Sequence, residues 1–330
     1  MLDSILNQNI NANNYEIIIA DGMSDDGTRR IIRNYQSCNN NIKIINNTDK
    51  IVSIGFNKAL TIARGDIIIR VDGHTKLDTD FINNCLNALH KMQVDCVGGV
   101  TKHIGRRIIG SSINIAQSSS FGSGGASFRK NITKGEFIDT VAFGAYKRSV
   151  FLDIGGYDEE LKRNQDDEFN FRLIQNGGKI WLDPFIKSSY YTRSSFLKLF
   201  KQYFQYGYYK VRVFQKRGGI ASIRQIVPFI FTLSLIILAS IYFLTGKNIL
   251  LLLIIGSYMI LSLFTTLIKM LSKHNSPILS VSLLPVAFIV MHLSYGMGML
   301  VGFISFLNKW QDREVKDFSF NSNYFSENVS

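Results

Sequence analysis

Four short apolar runs alternate with stretches of helical spacing through the first 183 residues. The runs "YEIIIA" (15–20), "IKII" (42–45), "DIIIRVD" (66–72) and "VDCVGGV" (94–100) are rich in Ile and Val and bounded by Gly, Asp and Asn, as strands are. Between them, "TRRIIRNYQ", "SIGFNKALTIARG" and "TDFINNCLNALHKM" carry apolar residues three and four apart, which is the spacing of an amphipathic helix. In the last of these, Phe81, Cys85, Leu86 and Leu89 share a face. Asp26 is placed to cap the first helix and Gly65 to stop the second. The alternation predicts an α/β domain with a mostly parallel sheet and helices on both faces. In such sheets ligands collect at the carboxyl ends of strands, where Asp21 and Asp72 fall. Residues 101–165 are rich in Gly and Ser. They read as a flexible linker or as an active-site loop region, and strand-like "DTVAFGAY" continuing the domain beyond them favours the loop.

The pattern changes in the second half. "IVPFIFTLSLIILASIYFL" (226–244) and "ILLLLIIGSYMILSLFTTLI" (249–268) contain no charge. At a rise of about 1.5 Å per residue, roughly 20 residues cross the hydrocarbon of a bilayer, so both predict spanning helices. Residues 277–307 are also uncharged, but Pro285 interrupts them. They predict a third span over about 286–307 behind an interfacial lead-in. Upstream, "SSFLKLFKQYFQYGYYKVRVFQKR" (194–217) mixes Phe, Tyr, Lys and Arg at helical spacing, the signature of a helix lying at a membrane surface. The expected organisation is a catalytic domain over 1–193, an amphipathic linker over 194–225, membrane helices over 226–310 and a polar tail over 311–330.

Charge sharpens this picture. The net charge is +12, yet residues 1–183 are nearly balanced, with 22 Lys+Arg against 21 Asp+Glu. Residues 184–311 hold 13 Lys+Arg and no acid. Cations beside apolar spans fit an anionic membrane face and argue against nucleic acid as a partner. Nine of them lie in 185–225, whereas only Lys247 separates the first two spans, and Lys269 and Lys273 follow the second. The positive-inside rule then places the first domain and the second loop on the cytoplasmic side of the cell membrane. Three spans put the tail outside, against which Lys309, Arg313 and Lys316 weigh. Cys38, Cys85 and Cys96 form no CxxC pair, which suits a reduced, cytosolic first half. The opening "MLDSILNQNI" lacks the features of a signal peptide.

Three acidic clusters carry the candidate chemistry: "ADGMSDDGT" (20–28), "VDGH" (71–74) and "RNQDDEFNFRL" (163–173). Each has an ordinary explanation alone. Asp-Gly pairs make turns, and Asp166-Asp167-Glu168 suits the first turn of a helix. Asp72 and His74 stand two residues apart at a strand end, where side chains of period two point the same way. They read either as a plain strand-to-turn exit or as two ligands of a metal.

Taken together and in this order, the clusters resemble glycosyltransferase family 2, the nucleotide-sugar-dependent transferases of the GT-A fold. "ADGMSDDGT" matches the family's strand-Asp-x-x-Ser-x-Asp-Gly-Thr pattern. "VDGH" matches its Asp-x-Asp metal motif, with His74 replacing the second acid. "QDDEFNFR" matches its Glu-Asp pair and following Arg, with Gln165 in the Glu place, and "GGYDEEL" (155–161) fits the preceding stretch. "QYFQY" (202–206) is similar to Gln-x-x-Arg-Trp, with Gln205 and Tyr206 substituted. The whole pattern, including "HLSYGMGM", is most similar to the succinoglycan-biosynthesis type of membrane glucosyltransferase, over about residues 1–310.

The resemblance implies a role for each residue. Asp166 would be the general base. Asp167, beside it, would be the alternative base on the acceptor side, with Gln202, Gln205 and Tyr206. Asp21, Ser24, Asp25, Asp26, Asp72 and Arg172 would bind the nucleotide-sugar, with Arg172 either orienting carboxylates or touching the diphosphate. Asp72 and His74 would hold a divalent cation, Mn²⁺ or Mg²⁺. The implied activity is inverting, metal-dependent transfer of a hexose from a UDP-sugar donor to a polyprenyl-diphosphate-linked saccharide in bacterial surface polysaccharide synthesis, with membrane lipid as a further partner. The family pattern opens with a strand ending in Pro-x-Tyr-Asn-Glu, and Met1 falls inside the helix after it. That departure predicts a truncated first strand, and the alternative it raises is an impaired or non-catalytic membrane partner.

Overall fold

The computed structural model describes residues 1–124, 132–220, 222–272 and 277–320. A short helix, α1 (Leu2–Leu6), precedes β1 (Ile17–Asp21). β1 pairs in parallel with β2 (Ile42–Asn46), with Ile17 opposite Ile42 and Asp21 opposite Asn46. A parallel pair needs a crossover, and α2 (Thr28–Cys38) supplies it. α2 starts after Gly27, whose φ of +88° is in the left-handed region that favours glycine. The expected cap, Asp26, lies one residue earlier and accepts from the Thr28 amide at 3.1 Å. α3 (Val52–Ile62) ends at Ala63, before Gly65.

β3 keeps only Ile67–Ile69 of the expected 66–72 strand. The chain then leaves the sheet, and the Thr75 amide closes a turn on the Asp72 carbonyl at 3.0 Å. Asp72 and His74 therefore share a turn, and strand alternation does not orient them. β4 (Thr75–Leu77), α4 (Phe81–Met92) and β5 (Cys96–Ile104) follow. α4 buries Phe81, Cys85 and Leu89 as its spacing predicts, together with Ile82 and Ala88, whereas Leu86, expected on that face, is only half-buried.

The second sheet has the order β3-β7-β5-β8-β4, with β6 (Glu136–Phe137) on β8. β7 (Ala145–Lys147) comes from "DTVAFGAY" and runs antiparallel to both β3 and β5. β8 (Ile180–Tyr191) is antiparallel to β6. The α/β class stands, but the mostly parallel sheet expected from the strand–helix alternation is a mixed one. The alternation could not show that a short late strand inserts between β3 and β5. The core beneath includes Cys96, Val97, Ala145, Phe151, Phe169 and Leu182, all fully buried.

The Gly/Ser-rich stretch also departs from expectation. Its described part is helical, in α5 (Arg107–Ser118) and the one-turn α6 (Ser120–Ser123). Ile113, Ile115 and Ala116 of α5 are buried, and that apolar face outweighs the weak helix propensity of Ser and Gly. Residues 125–131, with Gly125, lie outside the described residues. α7 (Arg148–Ile154) and α8 (Gln165–Gln175) complete this half.

The described residues fall into two compact units. One takes Met1–Thr101, the segment ending at Ser188 and the segment beginning at Glu314. The other takes the segment beginning at Lys102 and Ser189–Arg313.

The second unit contains α9 (Phe196–Arg217), α10 (Val227–Thr245), α11 (Ile249–Leu271), the short α12 (Ile278–Ser282) and α13 (Leu284–Ser305). Among the described residues, three helices are long and apolar enough to cross a membrane: α10, α11 and the run Ile278–Ser305. They match the three apolar stretches, and α12 occupies the expected lead-in. Lys273 lies outside the described residues. α9 is helical as expected, but its buried face packs on α13 through close backbone approach. A Cβ on Gly207 would meet the Tyr295 carbonyl at 2.0 Å, and one on Gly298 the Phe204 carbonyl at 2.1 Å. Small residues at such a seam let helix backbones touch.

Candidate active site

The first acidic cluster folds into a braced loop. Asp21, at the end of β1, is 5% exposed. Its Oδ2 accepts from the Ser24 amide at 3.0 Å and from Arg29 Nη1 at 3.0 Å. Arg29 Nη2 also donates to Asn46 Oδ1 at 2.7 Å, at the end of the neighbouring strand. Burial alone would raise the Asp21 pKa. Hydrogen bonds from Ser24 and the charge of Arg29 outweigh it and hold the carboxyl below the usual carboxylate range. Asp25 and Asp26 are exposed on the same loop. The Thr28 hydrogen bonds lower the pKa of Asp26.

The second and third clusters meet on one side chain. Arg70 Nη2 lies 2.8 Å from Asp72 Oδ1, and Arg70 Nη1 lies 3.5 Å from Asp166 Oδ2. Arg70 and Asp166, 96 positions apart in the chain, thus meet beside Asp72. The Arg70 side chain is 12% exposed, against 29% for Asp72 and 38% for Asp166. Burial works against the Arg70 charge. The carboxylate of Asp72, followed by Tyr157 and Asp166, overcomes it and raises the guanidinium pKa. The guanidinium also lies 5.8 Å from the Tyr157 ring centre, within cation–π range. Arg70 escaped the sequence reading. Its one signal there was a lone cation in an apolar strand run, two residues before an acid.

Asp166 is the second residue of α8, which starts after Asn164 in a left-handed conformation (φ +61°). Its Oδ1 accepts from the Asp167 amide at 3.0 Å. Gln165, where the family pattern has Glu, is 5% exposed. One turn along, Arg172 clamps Glu168 through Nε at 2.6 Å and Nη2 at 3.0 Å. It also donates to the carbonyls of Ile154 at 2.5 Å and Gly156 at 2.7 Å. Of the two roles expected for Arg172, these contacts serve the orienting one. Below, Phe169 packs among Tyr146, Phe151 and Tyr157, while Asn170 accepts from the Tyr146 hydroxyl at 2.8 Å. α8 therefore holds Asp166 on a rigid base.

Gln202, Gln205 and Tyr206 stand on α9, in the second unit. Gln202 Nε2 donates to the Tyr206 hydroxyl at 2.9 Å. Gln202 is 8% exposed, and its Oε1 is buried without a hydrogen-bond partner. Gln205 is exposed.

Among the described residues, no three His, Cys, Asp or Glu side chains gather into a metal cluster. Asp72 and the exposed His74, in one turn, offer a carboxylate and an imidazole. Mg²⁺ is commonly held by one or two protein groups while substrate phosphates and water complete the shell, and imidazole also suits transition ions. The donor set fits a cation shared with a diphosphate.

Comparison with known proteins adds to this geometry. Residues 1–155 match the description of glycosyl transferase family 2. The chain is 33% identical over 315 residues to a dolichyl N-acetyl-α-D-glucosaminyl phosphate 3-β-D-2,3-diacetamido-2,3-dideoxy-β-D-glucuronosyltransferase of Methanococcus voltae, covering 92% of each chain. It is 30% identical over 217 residues to the succinoglycan biosynthesis protein ExoA of Rhizobium meliloti (strain 1021), covering 65% of this chain and 66% of that one. Among solved structures, S. aureus TarS 1–349 in complex with UDP-GlcNAc is similar at 16% identity and a TM-score of 0.46, over 62% of this chain and 61% of TarS. GalNAc-T7 with UDP, GalNAc and Mn²⁺ is similar at 16% identity and a TM-score of 0.47, over 66% and 47%.

Proposed function

The chain belongs to glycosyl transferase family 2, and from that premise we propose that it is an inverting hexosyltransferase of the cell membrane. It moves a hexose from a UDP-sugar to a polyprenyl-diphosphate-linked saccharide in surface polysaccharide synthesis. One observation carries the reading: a single guanidinium, that of Arg70, holds Asp72 and Asp166 together. The reaction needs those two groups close. One lies beside the departing diphosphate, the other beside the incoming hydroxyl.

Asp166 takes the proton of the acceptor hydroxyl as its oxygen attacks the anomeric carbon. The bond from that carbon to the diphosphate breaks, and its electron pair leaves with UDP. Attack from the face opposite the diphosphate inverts the configuration. A positioned base of this kind contributes roughly 10²–10⁴ in rate. The Asp166 side chain is 38% exposed, which leaves it open to an acceptor, and α8 fixes its position. Arg70 restrains the repulsion between the two carboxylates. Asp72 and His74 are the residues that would hold Mn²⁺ or Mg²⁺, and a bound cation supplies neutralisation of charge on the leaving diphosphate.

The loop braced by Asp21, with Ser24, Asp25 and Asp26, receives the nucleotide. Arg172 keeps Glu168 and the 154–156 backbone in register beneath the base. Asp167, Gln202, Gln205 and Tyr206 serve the acceptor, as the family pattern implies. The name of the Methanococcus voltae relative includes a dolichyl-linked sugar phosphate, which supports a lipid-linked acceptor here. The name of the Rhizobium meliloti relative refers to succinoglycan biosynthesis, which supports polysaccharide synthesis as the setting.

The test uses membranes containing the full chain, labelled UDP-glucose, a lipid-linked saccharide and Mn²⁺, with and without chelator. Label is expected in the lipid fraction and to disappear with chelator. UDP binding without any label transfer, across several UDP-sugars and lipid acceptors, overturns the enzymatic reading in favour of a non-catalytic partner.

A further inference from the structure

The chain leaves its first compact unit at Ser188 and rejoins it at Glu314. Among the described residues, every helix long and apolar enough to cross a membrane lies between those points. The rejoining segment is built into the unit. The Glu159 amide donates to the Lys316 carbonyl at 2.7 Å, the Ser319 amide to Glu159 Oε1 at 2.8 Å, and the Gly156 amide to Asp317 Oδ2 at 3.0 Å. Lys316 lies 3.8 Å from Glu160, and Phe320 is 4% exposed. Residues 156–160 lead directly into α8. A segment bonded in this way shares their side of a bilayer, because no hydrogen bond reaches across about 30 Å of hydrocarbon. The number of crossings between Ser188 and Glu314 is therefore even, whereas three helices among the described residues are long and apolar enough to cross.

The burial of those helices decides which one stays out. Within the spanning window, 6% of α10 and 11% of α11 is buried, against 39% for Ile278–Ser305. α10 and α11 are joined by only Gly246, Lys247 and Asn248, with Gly246 in the left-handed conformation (φ +72°). Their turn end stands clear: residues 241–250 are all exposed, Phe243 and Leu244 by more than 80%. α10 has 19 residues and α11 has 23, about 28 and 34 Å at 1.5 Å each, which matches the hydrocarbon thickness. α13 instead has protein neighbours. Leu284, Ala287, Phe288 and Met291 join a core with Ile113 and Ile115 of α5 and Leu199 of α9, and Met299 joins one with Val211 and Phe214. Just past α13, the fully buried Arg212 of α9 pairs with Asp312 at 2.8 Å and donates to the carbonyls of Lys309 and Asp312. An ion pair and a buried guanidinium at that point suit an aqueous boundary, not a far-side exit.

We propose, on the membrane reading above, that the lipid-embedded surface is the α10–α11 hairpin, which crosses and returns. α12–α13 then stays on the cytoplasmic side as the seat of α9, and Glu314–Phe320 is part of the catalytic unit.

Cysteine accessibility tests this on the full chain in the inner membrane of bacterial cells. Native Cys38 is exposed and Cys85 and Cys96 are buried, so Cys38 reports the side of the catalytic unit. Phe318→Cys and Asn248→Cys are made separately in a Cys38→Ser background, at exposed positions. With a membrane-impermeant maleimide, Asn248→Cys is expected to label in intact spheroplasts. Phe318→Cys and native Cys38 are expected to label only after permeabilisation. Labelling of Phe318→Cys from outside while Cys38 is protected gives an odd count and overturns the proposal, as does protection of Asn248→Cys. A carboxyl-terminal alkaline phosphatase fusion supplies the same answer without touching Phe318. Phosphatase activity there contradicts the proposal, and its absence beside a fluorescent GFP fusion supports it. None of these readouts needs sugar transfer, so a failed transferase assay and a failed topology are told apart.

Discussion

Arg70 shows how a residue can be decisive and still hard to find in a sequence. Asp21 and Asp72 were legible as acids beside glycine at the ends of apolar runs, and Asp166 as part of an acidic run at a helix start. Arg70 gains its meaning from facing two carboxylates, one of them 96 positions away, and no local pattern encodes that. Its removal leaves two carboxylates facing each other without a cation. Arg70→Met is expected to lower kcat at least tenfold while changing the KM for UDP-sugar much less, and Arg70→Lys to restore part of kcat. Steady-state transfer assays of the three proteins measure the split. Equal loss of kcat and unfolding in both variants marks Arg70 as purely structural.

Asp21 gives a pH prediction whose sign is fixed. Its folded pKa lies below the ordinary value, which is about 3.9 for an unfolded chain. Its contribution to stability is then fully present above about pH 4 and drains away as pH falls through the folded value. Asp21→Asn is expected to melt at a lower temperature than wild type at pH 7, with the gap closing below about pH 4. Thermal unfolding of the detergent-solubilised protein over that range checks it.

Elements were legible where their apolar pattern was unmixed. The Ile-rich runs of β1 and β2 behave as their spacing predicts, and so do Phe81, Cys85 and Leu89 on the face of α4. β3 ends at Ile69: the Arg70 amide still donates to the Gly144 carbonyl at 3.2 Å, and the turn closed by Asp72 and Thr75 follows. β7 was hidden because three residues between two partners carry little periodicity. α5 was obscured by serine and glycine, and only its packing with α12 and α13 buries Ile113 and Ala116. The α9–α13 seam depends on glycine for contact. Gly207→Val and Gly298→Val each force backbones apart and are expected to lower the melting temperature by several degrees. Gly219→Ala, with nothing within 4 Å of its Cβ, is the control expected to change little. Comparable melting of all three variants contradicts the seam.

At the scale of the whole molecule, the division into an α/β catalytic part and a basic, apolar second half was plain in the charge distribution and in the uncharged runs. What could not be read was the return of the chain after α13. The partners of Lys316, Asp317 and Ser319 lie in residues 156–160, more than 150 positions back, and they compose a polar surface with no sequence signature. Asp72 and Asp166, from the second and third acidic clusters, likewise meet only through tertiary contacts, at Arg70. Transfer by the assembled site is expected to fall to background when chelator removes the divalent cation and to return with Mn²⁺.

The most direct measurement compares wild type with Asp166→Asn in one membrane preparation, following label from UDP-sugar into lipid alongside UDP binding. UDP binding is expected to be unchanged in the variant, while transfer falls by roughly 10²–10⁴. Transfer at the wild-type rate by Asp166→Asn contradicts the account.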